Sequence, residues 1–287
     1  MLISASTNIA VRRLGFEAGV TMLRDVGFDC LDLALFEMVE DDSVYLSSER
    51  YAVAEARARF ARENGIAFNQ MHAPFAFKWA EDDIRESIAK PRVEEALRIG
   101  AMIGAKIAIV HPIHYMEYKG NEEYSRSLNL EYYSSLIPLA KECGIKIAIE
   151  NMWQRDPRRK YIVDDVAAKA EEHAWYIDQL NSEWITACLD VGHTALVGED
   201  VADTIRVLGN RLGALHIHDN NYLADQHLIP FLGGLDWQSI MSALREVGYA
   251  GEFTLETDAF LKKFPVEMLR DAAAFMHCTA RFLVENY

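Results

Sequence analysis

The 287-residue sequence predicts an α/β protein of the (β/α)8 TIM-barrel class. Three observations carry the prediction. Short apolar runs rich in Ile, Val, Ala and Leu alternate with longer amphipathic stretches, the pattern of βα units around a parallel sheet. Eight such units recur every 28 to 40 residues or so, which suits a barrel of about 250 residues. Six of the eight runs end in ionisable residues, and they do so at the carboxyl end, the face on which such barrels carry their active sites.

The strands are expected at Leu2 to Thr7, Cys30 to Leu35, Ala67 to Ala73, Lys106 to His111, Lys146 to Asn151, Thr186 to Val191, Ala214 to Asp219 and Glu252 to Thr257. Helices between them end at readable stops, Glu63-Asn64-Gly65-Ile66, Glu142-Cys143-Gly144-Ile145 and Glu246-Val247-Gly248-Tyr249, where Gly takes the left-handed position and an apolar residue follows. A doubly wound open sheet shares this alternation, but its phosphate-cradling turn is missing, since the first strand runs into Thr7-Asn8-Ile9-Ala10 instead of G-x-G-x-x-G. A nucleotide P-loop and a G-x-S-x-G nucleophile elbow are absent too. No composition shift, linker or repeat divides the chain, so residues 1–287 are expected to form one domain, with the seven prolines at loop ends.

The composition, 51% hydrophobic and 25% charged, is that of a soluble globular protein. Apolar stretches such as Ile107 to Val110 fall far short of the roughly 18 residues of a membrane span, and the start lacks a signal-peptide pattern, so a cytoplasmic protein is expected. With 29 basic and 44 acidic side chains the net charge is −15, which works against non-specific attraction to nucleic acid or anionic membrane. Cys30, Cys143, Cys188 and Cys278 lie far apart and read as reduced, buried fillers.

The polar strand ends are Met71-His72-Ala73-Pro74, Val110-His111-Pro112, Ile149-Glu150-Asn151, Leu189-Asp190-Val191-Gly192-His193, Leu215-His216-Ile217-His218-Asp219 and Leu255-Glu256-Thr257-Asp258. Strand parity places Glu150 on the face of Ala148, Glu256 on that of Thr254 and His216 on that of Ala214, with the bulky Ile and Leu residues opposite. The ionisable groups thus occupy the small-residue face and should converge inside the barrel mouth. Convergence of Glu150, Asp190 and Glu256 without counter-charge is costly, and a divalent cation resolves the conflict. With His216 the set becomes a mixed oxygen and nitrogen shell for Mn, Zn, Co, Mg or Fe; the plainer alternative is buried ion pairing with Arg or Lys. His114, His173 and His277 fall in loops or helices and are read as solvated or packing residues. Tyr115, Tyr118, Tyr124, Tyr132 and Tyr133 are read as helix packing rather than a lid.

The order and spacing of Ile149-Glu150-Asn151, Leu189-Asp190-x-x-His193, His216-x-His218-Asp219, the string from His227 to Trp237, and Leu255-Glu256 resemble the sugar isomerase and epimerase superfamily with a xylose isomerase-like barrel, over nearly the whole chain. The resemblance to its ketose epimerase branch implies that Glu150, Asp190, His216 and Glu256 bind one divalent metal, that Glu150 and Glu256 also move the proton, and that His193 contacts substrate; His72 and His111 are read as further substrate-binding residues. The chemistry is consistent on its own terms. Stabilising an enediolate while one glutamate takes a C–H proton and another returns it from the opposite face inverts the centre, so epimerisation or isomerisation of a ketose, phosphorylated or not, is expected.

The chain departs from the family pattern at Phe231, where Gly is frequent, and at Tyr222, where some ketose epimerases carry a substrate-binding arginine. The same superfamily contains endonuclease IV, a trinuclear zinc phosphodiesterase acting at abasic DNA sites. Its ligand set is matched by His72, His111, Glu150, Asp190, His193, His216, Asp225, His227 and Glu256, which makes His72, His111, His193, Asp225 and His227 candidate additional metal ligands. A non-catalytic carbohydrate-binding barrel is the third alternative. The expected partner is a small carbohydrate, nucleic acid is disfavoured by the charge, and homo-oligomerisation stays open.

Overall fold

The computed structural model describes residues 1–75 and 84–287. Eight parallel strands form one sheet: β1 (Ile3–Ser6), β2 (Cys30–Ala34), β3 (Ala67–His72), β4 (Ile107–Val110), β5 (Lys146–Glu150), β8 (Ile185–Asp190), β9 (Leu212–His216) and β10 (Phe253–Leu255). Their order is β10-β1-β2-β3-β4-β5-β8-β9. A parallel bridge between Ile217 and Leu255, with Ile217 N donating to Thr254 O at 2.8 Å and Glu256 N to Ile217 O at 3.0 Å, brings the two edges together into a nearly closed barrel. Each predicted strand is present, most of them trimmed at the ends where polar residues leave the ladder. The largest shift is in β9, expected from Ala214 to Asp219 but starting two residues earlier and ending three earlier, because beyond His216 only Ile217 still pairs with a barrel strand.

The parity argument is visible in the packing. Ile109, Ala148, Cys188 and Ala214, with Ile107 against them, form a small cluster inside the barrel. Ile147, Ile149, Leu189, Leu215, Phe253 and Leu255 belong instead to the larger core beneath the surrounding helices. Small inner side chains leave room above them for the polar strand ends, whereas the outer face follows the apolar rule for a sheet covered by helices. Gly65, Gly144 and Gly248 take φ of 65°, 67° and 69° at the predicted stops.

Several expectations are corrected. An antiparallel hairpin, β6 (Trp153–Arg155) and β7 (Ile162–Asp164), follows β5 and was not anticipated, since its strands are too short to show alternation. Pro138 lies inside helix Glu122–Cys143 rather than at a loop end, and burial of Tyr133, Leu136, Leu139 and Ala140 around it offsets the about 3 kcal/mol such a proline costs. Cys30 and Cys188 are buried, but Cys143 is only partly covered and Cys278 is exposed on the outer face of helix Leu269–Asn286.

The tyrosines pack as expected at Tyr132 and Tyr133, the latter donating its hydroxyl to Val110 O at 2.8 Å, and at Tyr118, bonded to Glu172; Tyr124 is exposed. His277 packs edge-on against Phe28 at 5.1 Å. His173 is fully buried and donates from Nε2 to Ile149 O at 2.8 Å. Among the described residues, no helix is long and apolar enough to cross a membrane.

Burial lowers the His173 pKa from 6.5 to about 4, so the folded state holds this ring neutral where the unfolded chain would protonate it. Its contribution to stability is therefore complete above pH 6.5 and is lost as pH falls towards 4, an effect of about 3 kcal/mol. Urea denaturation at pH 7 and pH 4.5 should show His173→Gln, which keeps an N–H for Ile149, losing less stability over this interval than the parent. Equal losses in both proteins would refute the assignment.

Candidate metal centre and active-site cavity

Because the strands are parallel, their carboxyl ends share one rim, and six of them raise ionisable groups there. Glu150 ends β5, Asp190 ends β8, His216 ends β9 and Glu256 follows β10. Glu150 Oε1 lies 2.8 Å from His216 Nδ1, which is also 3.3 Å from Glu256 Oε2. One donor atom from each of Glu150, Asp190, His216 and Glu256 falls within 4.8 Å of the others. Three more groups meet the same distance criterion: His72, His111 and Glu150; Asp32, His72 and His216; and His193, His218, Asp225 and His227. All nine candidate ligands read from the sequence are thus brought into adjoining clusters.

Two participants were missed. His218 shares the inner parity of His216 but was quoted only as part of a motif, and Asp32 lies within an otherwise apolar strand, where an acidic residue is itself a signal.

The imidazoles are oriented by hydrogen bonds on their far nitrogens. His193 Nδ1 donates to Asn151 O at 2.9 Å, and His227 Nδ1 to Glu256 O at 2.8 Å. Both rings then turn Nε2 towards Asp225 Oδ2, at 3.6 Å and 3.1 Å. Fixing one ring nitrogen in this way sets which nitrogen is offered to a ligand. His218 stacks on His227 with centroids 4.1 Å apart and reaches Asp190 Oδ1 at 2.9 Å.

The loop carrying Asp225 and His227 is pinned by Asp219, whose carboxylate accepts from Asn220 N (2.9 Å), Leu235 N (3.1 Å), Phe231 N (3.0 Å) and Trp237 Nε1 (2.9 Å). Phe231 takes φ of +77°, a conformation that Gly adopts freely, and its bond to Asp219 helps hold the backbone there.

Burial by itself would raise the carboxyl pKa of Glu150, but the imidazoles of His216 and His111 outweigh it and hold the group well below its usual range. Burial likewise opposes a charged His216, yet Glu150 and Glu256 carry its pKa upward. Among the described residues, no Lys or Arg nitrogen approaches Glu150, Asp190 or Glu256 within 4.0 Å; their ion-pair partners are histidines. The Arg or Lys pairing weighed as an alternative is not what the structure shows. Converging carboxylates with imidazoles and no fixed cation are a donor set that fits a divalent metal.

Above the clusters opens a cavity of about 600 Å3. Glu150, His111, His193, Asp225, His227 and Glu256 border it, beside an apolar wall that includes Phe36, Phe75 and Trp153. His72, expected to bind substrate, does not border it, which corrects that expectation. The β3–β4 register pairs His72 with Ile109, so His111 stands one inward-facing step higher and His72 is buried beneath. Six polar lining residues were not singled out from the sequence as cavity residues: Asn8, Arg12, Glu37, Glu40, His114 and Lys262. None of them stands at a strand end, where the sequence search was made.

Gly192 lies where an added Cβ would come 1.9 Å from His218 Cε1. Gly192→Ala should therefore displace His218 from Asp190 and cost about 1–3 kcal/mol in denaturation measurements. A variant as stable as the parent would contradict this packing.

A family model described as xylose isomerase-like TIM barrel matches residues 20–277. In sequence the chain is 23% identical over 240 residues to a D-psicose 3-epimerase of Enterocloster bolteae, covering 80% of this chain and 73% of the relative. In structure it is similar to a D-psicose 3-epimerase with D-tagatose from Clostridium cellulolyticum H10, with a TM-score of 0.75, 17% identity and 99% of each chain covered. It is also similar to the IOLI protein with a bound zinc atom, with a TM-score of 0.76, 17% identity, and 100% of this chain and 99% of that one covered. Structural likeness at these identities establishes the fold, and together with the family match it shows that the chain belongs to the xylose isomerase-like TIM barrel family.

Proposed function

We propose that this chain is a metal-dependent epimerase or isomerase of a ketose-type carbohydrate. The observation that carries the reading is the meeting of Glu150, Asp190, His216 and Glu256 within 4.8 Å, with both glutamates bordering the cavity. The ketose epimerases among the relatives and structural neighbours support the same chemistry.

Glu150, Asp190, His216 and Glu256 would hold the divalent ion, of which the zinc in the IOLI protein is one precedent. Such an ion would polarise the carbonyl and neighbouring hydroxyl of the sugar, easing the negative charge that develops as the C–H proton leaves. Glu150 ends β5 and Glu256 follows β10, so two strands, β8 and β9, separate them around the rim. One takes the proton and the other delivers it, which inverts the carbon when they act on opposite faces of the enediolate. His193, its Nδ1 committed to Asn151 O, can present Nε2 to a substrate hydroxyl. The apolar wall at Phe36, Phe75 and Trp153 excludes water from the intermediate.

A second reading has its own observation. The groups His72–His111–Glu150 and His193–Asp225–His227 flank the four-ligand set, an arrangement that suits a polynuclear phosphodiesterase of the endonuclease IV type.

Incubation of the Mn-loaded protein with a panel of ketoses in deuterated water should give metal-dependent exchange at carbon, and Glu150→Gln or Glu256→Gln should lower it by about 100-fold or more. Cleavage of abasic DNA with no sugar exchange would overturn the epimerase reading in favour of the second. Sugar binding without any reaction in the parent would make the chain a binding module.

Stripping with a chelator should lower Tm, and readdition of the ion at 100 times its Kd should restore about 2.7 kcal/mol. A His216→Ala variant should show little of this response, and a full response would place the ion elsewhere.

A further inference from the structure

Among the polar residues that border the cavity, Asn8 and Asp258 form a hydrogen-bonded pair that belongs to none of the four ligand groups. Asn8 opens helix Asn8–Leu14 after β1, and Asp258 opens the short helix Asp258–Leu261 after β10, so the pair bridges two neighbouring strands at the rim. Asn8 Nδ2 donates to Asp258 Oδ2 at 2.6 Å. One helical turn further on, the Arg13 guanidinium donates to Lys262 O at 2.8 Å and ties the same two segments together. The Asp258 carboxyl group is thus held from the protein side.

Its other oxygen is uncommitted. Asp258 Oδ1 meets no hydrogen-bond or ion-pair partner among the described residues, and the side chain is only partly buried, so this atom is open to the cavity. The neighbouring acids differ. Glu150, Asp190, Asp225 and Glu256 each have an oxygen 2.8 to 3.3 Å from an imidazole nitrogen. A carboxyl group fixed through one oxygen and free at the other loses little freedom when a ligand arrives, which is how a polar group on a cavity wall gains selectivity. A hydroxyl both donates and accepts, so it complements Oδ1 whether or not the carboxyl carries a proton.

We propose that Asp258 is a substrate-binding residue that hydrogen-bonds, through Oδ1, a hydroxyl of the bound ketose, with Asn8 as the positioning residue that holds its carboxyl group. The inference rests on the epimerase reading above and deepens it. Because Asp258 belongs to none of the ligand groups, the hydroxyl it meets is one that the ion does not hold, and the presence and configuration of that hydroxyl become determinants of which sugar is accepted. The bond is present before and during proton transfer alike, so its loss should appear in KM rather than kcat.

The test uses the full, Mn-loaded chain, the ketose it exchanges fastest, and analogues of that ketose each lacking one hydroxyl away from the reacting carbons. The expected result is a KM raised about tenfold in Asp258→Ala with kcat within about threefold of the parent, a smaller rise in Asp258→Asn, and unchanged metal content. One analogue should be handled about tenfold worse than the ketose by the parent but no worse than it by Asp258→Ala, since the bond is then lost from both sides. A merely structural role for Asp258 predicts no such dependence on one hydroxyl. Asn8→Ala should raise KM in the same direction, and should add little to Asp258→Ala in the double variant.

A KM in Asp258→Ala within twofold of the parent overturns the inference and leaves the epimerase reading standing. So does a rise in KM matched by loss of metal, or a set of analogues that parent and Asp258→Ala penalise alike. Additive effects in the double variant overturn the positioning role of Asn8. If Asp258→Ala does not fold, Asp258→Asn and Asn8→Ala decide the same question, parental KM values in both overturning it. A parent that exchanges no ketose overturns the epimerase reading itself, and this inference with it.

Discussion

Three carboxylates, Glu150, Asp190 and Glu256, meet at the rim of one sheet with no lysine or arginine among the described residues to neutralise them, and much of the surrounding architecture answers that crowding. Like charges withdrawn from water repel strongly and are tolerated only when paired, hydrogen-bonded or bound to a cation. The barrel supplies the first part of the answer. Its inner cluster of Ile109, Ala148, Cys188 and Ala214 leaves space above for polar side chains while the bulky residues face the helices. Histidines supply the second, since each acidic group of the cluster has at least one imidazole within ion-pair distance.

The imidazoles are themselves held by a further layer of contacts. Asn151 O orients His193, the carbonyl of Glu256 orients His227, and Asp219 pins the loop that brings Asp225 and His227 over the rim. These contacts tie the ligand-bearing loops to the carboxyl ends of the strands and fix where their side chains stand. Rigid placement is what charge stabilisation in an active site requires, because donors that must reorganise during the reaction contribute less.

Much of the barrel was legible in the chain. Apolar runs of Ile, Val and Leu at regular intervals reflect the burial of both strand faces, and that periodic signal survives without knowledge of any contact. The ligand residues of β5, β8, β9 and β10 were legible because a charged residue at the end of an apolar run stands out and because parity assigns its face. Phe231 shows the opposite situation. Its departure from the family's glycine pointed to an altered loop, yet the structure puts it at φ of +77°, with a bond to Asp219 that no local pattern announces.

The sequence by itself determined the class of fold, the strand-end positions of the acidic and imidazole groups, and the need for a counter-charge among them, because these follow from hydrophobic period, parity and the cost of burying like charges. Only the tertiary structure decided that His72 lies beneath the cavity and His111 beside it, that Asp32 and His218 join the clusters, and that Arg12, Lys262 and His114 line the opening. Such facts depend on strand register and on loops that converge from distant parts of the chain. Neither leaves a periodic trace in the order of the residues, since each arises from contacts between segments whose relative placement is set only when the barrel closes.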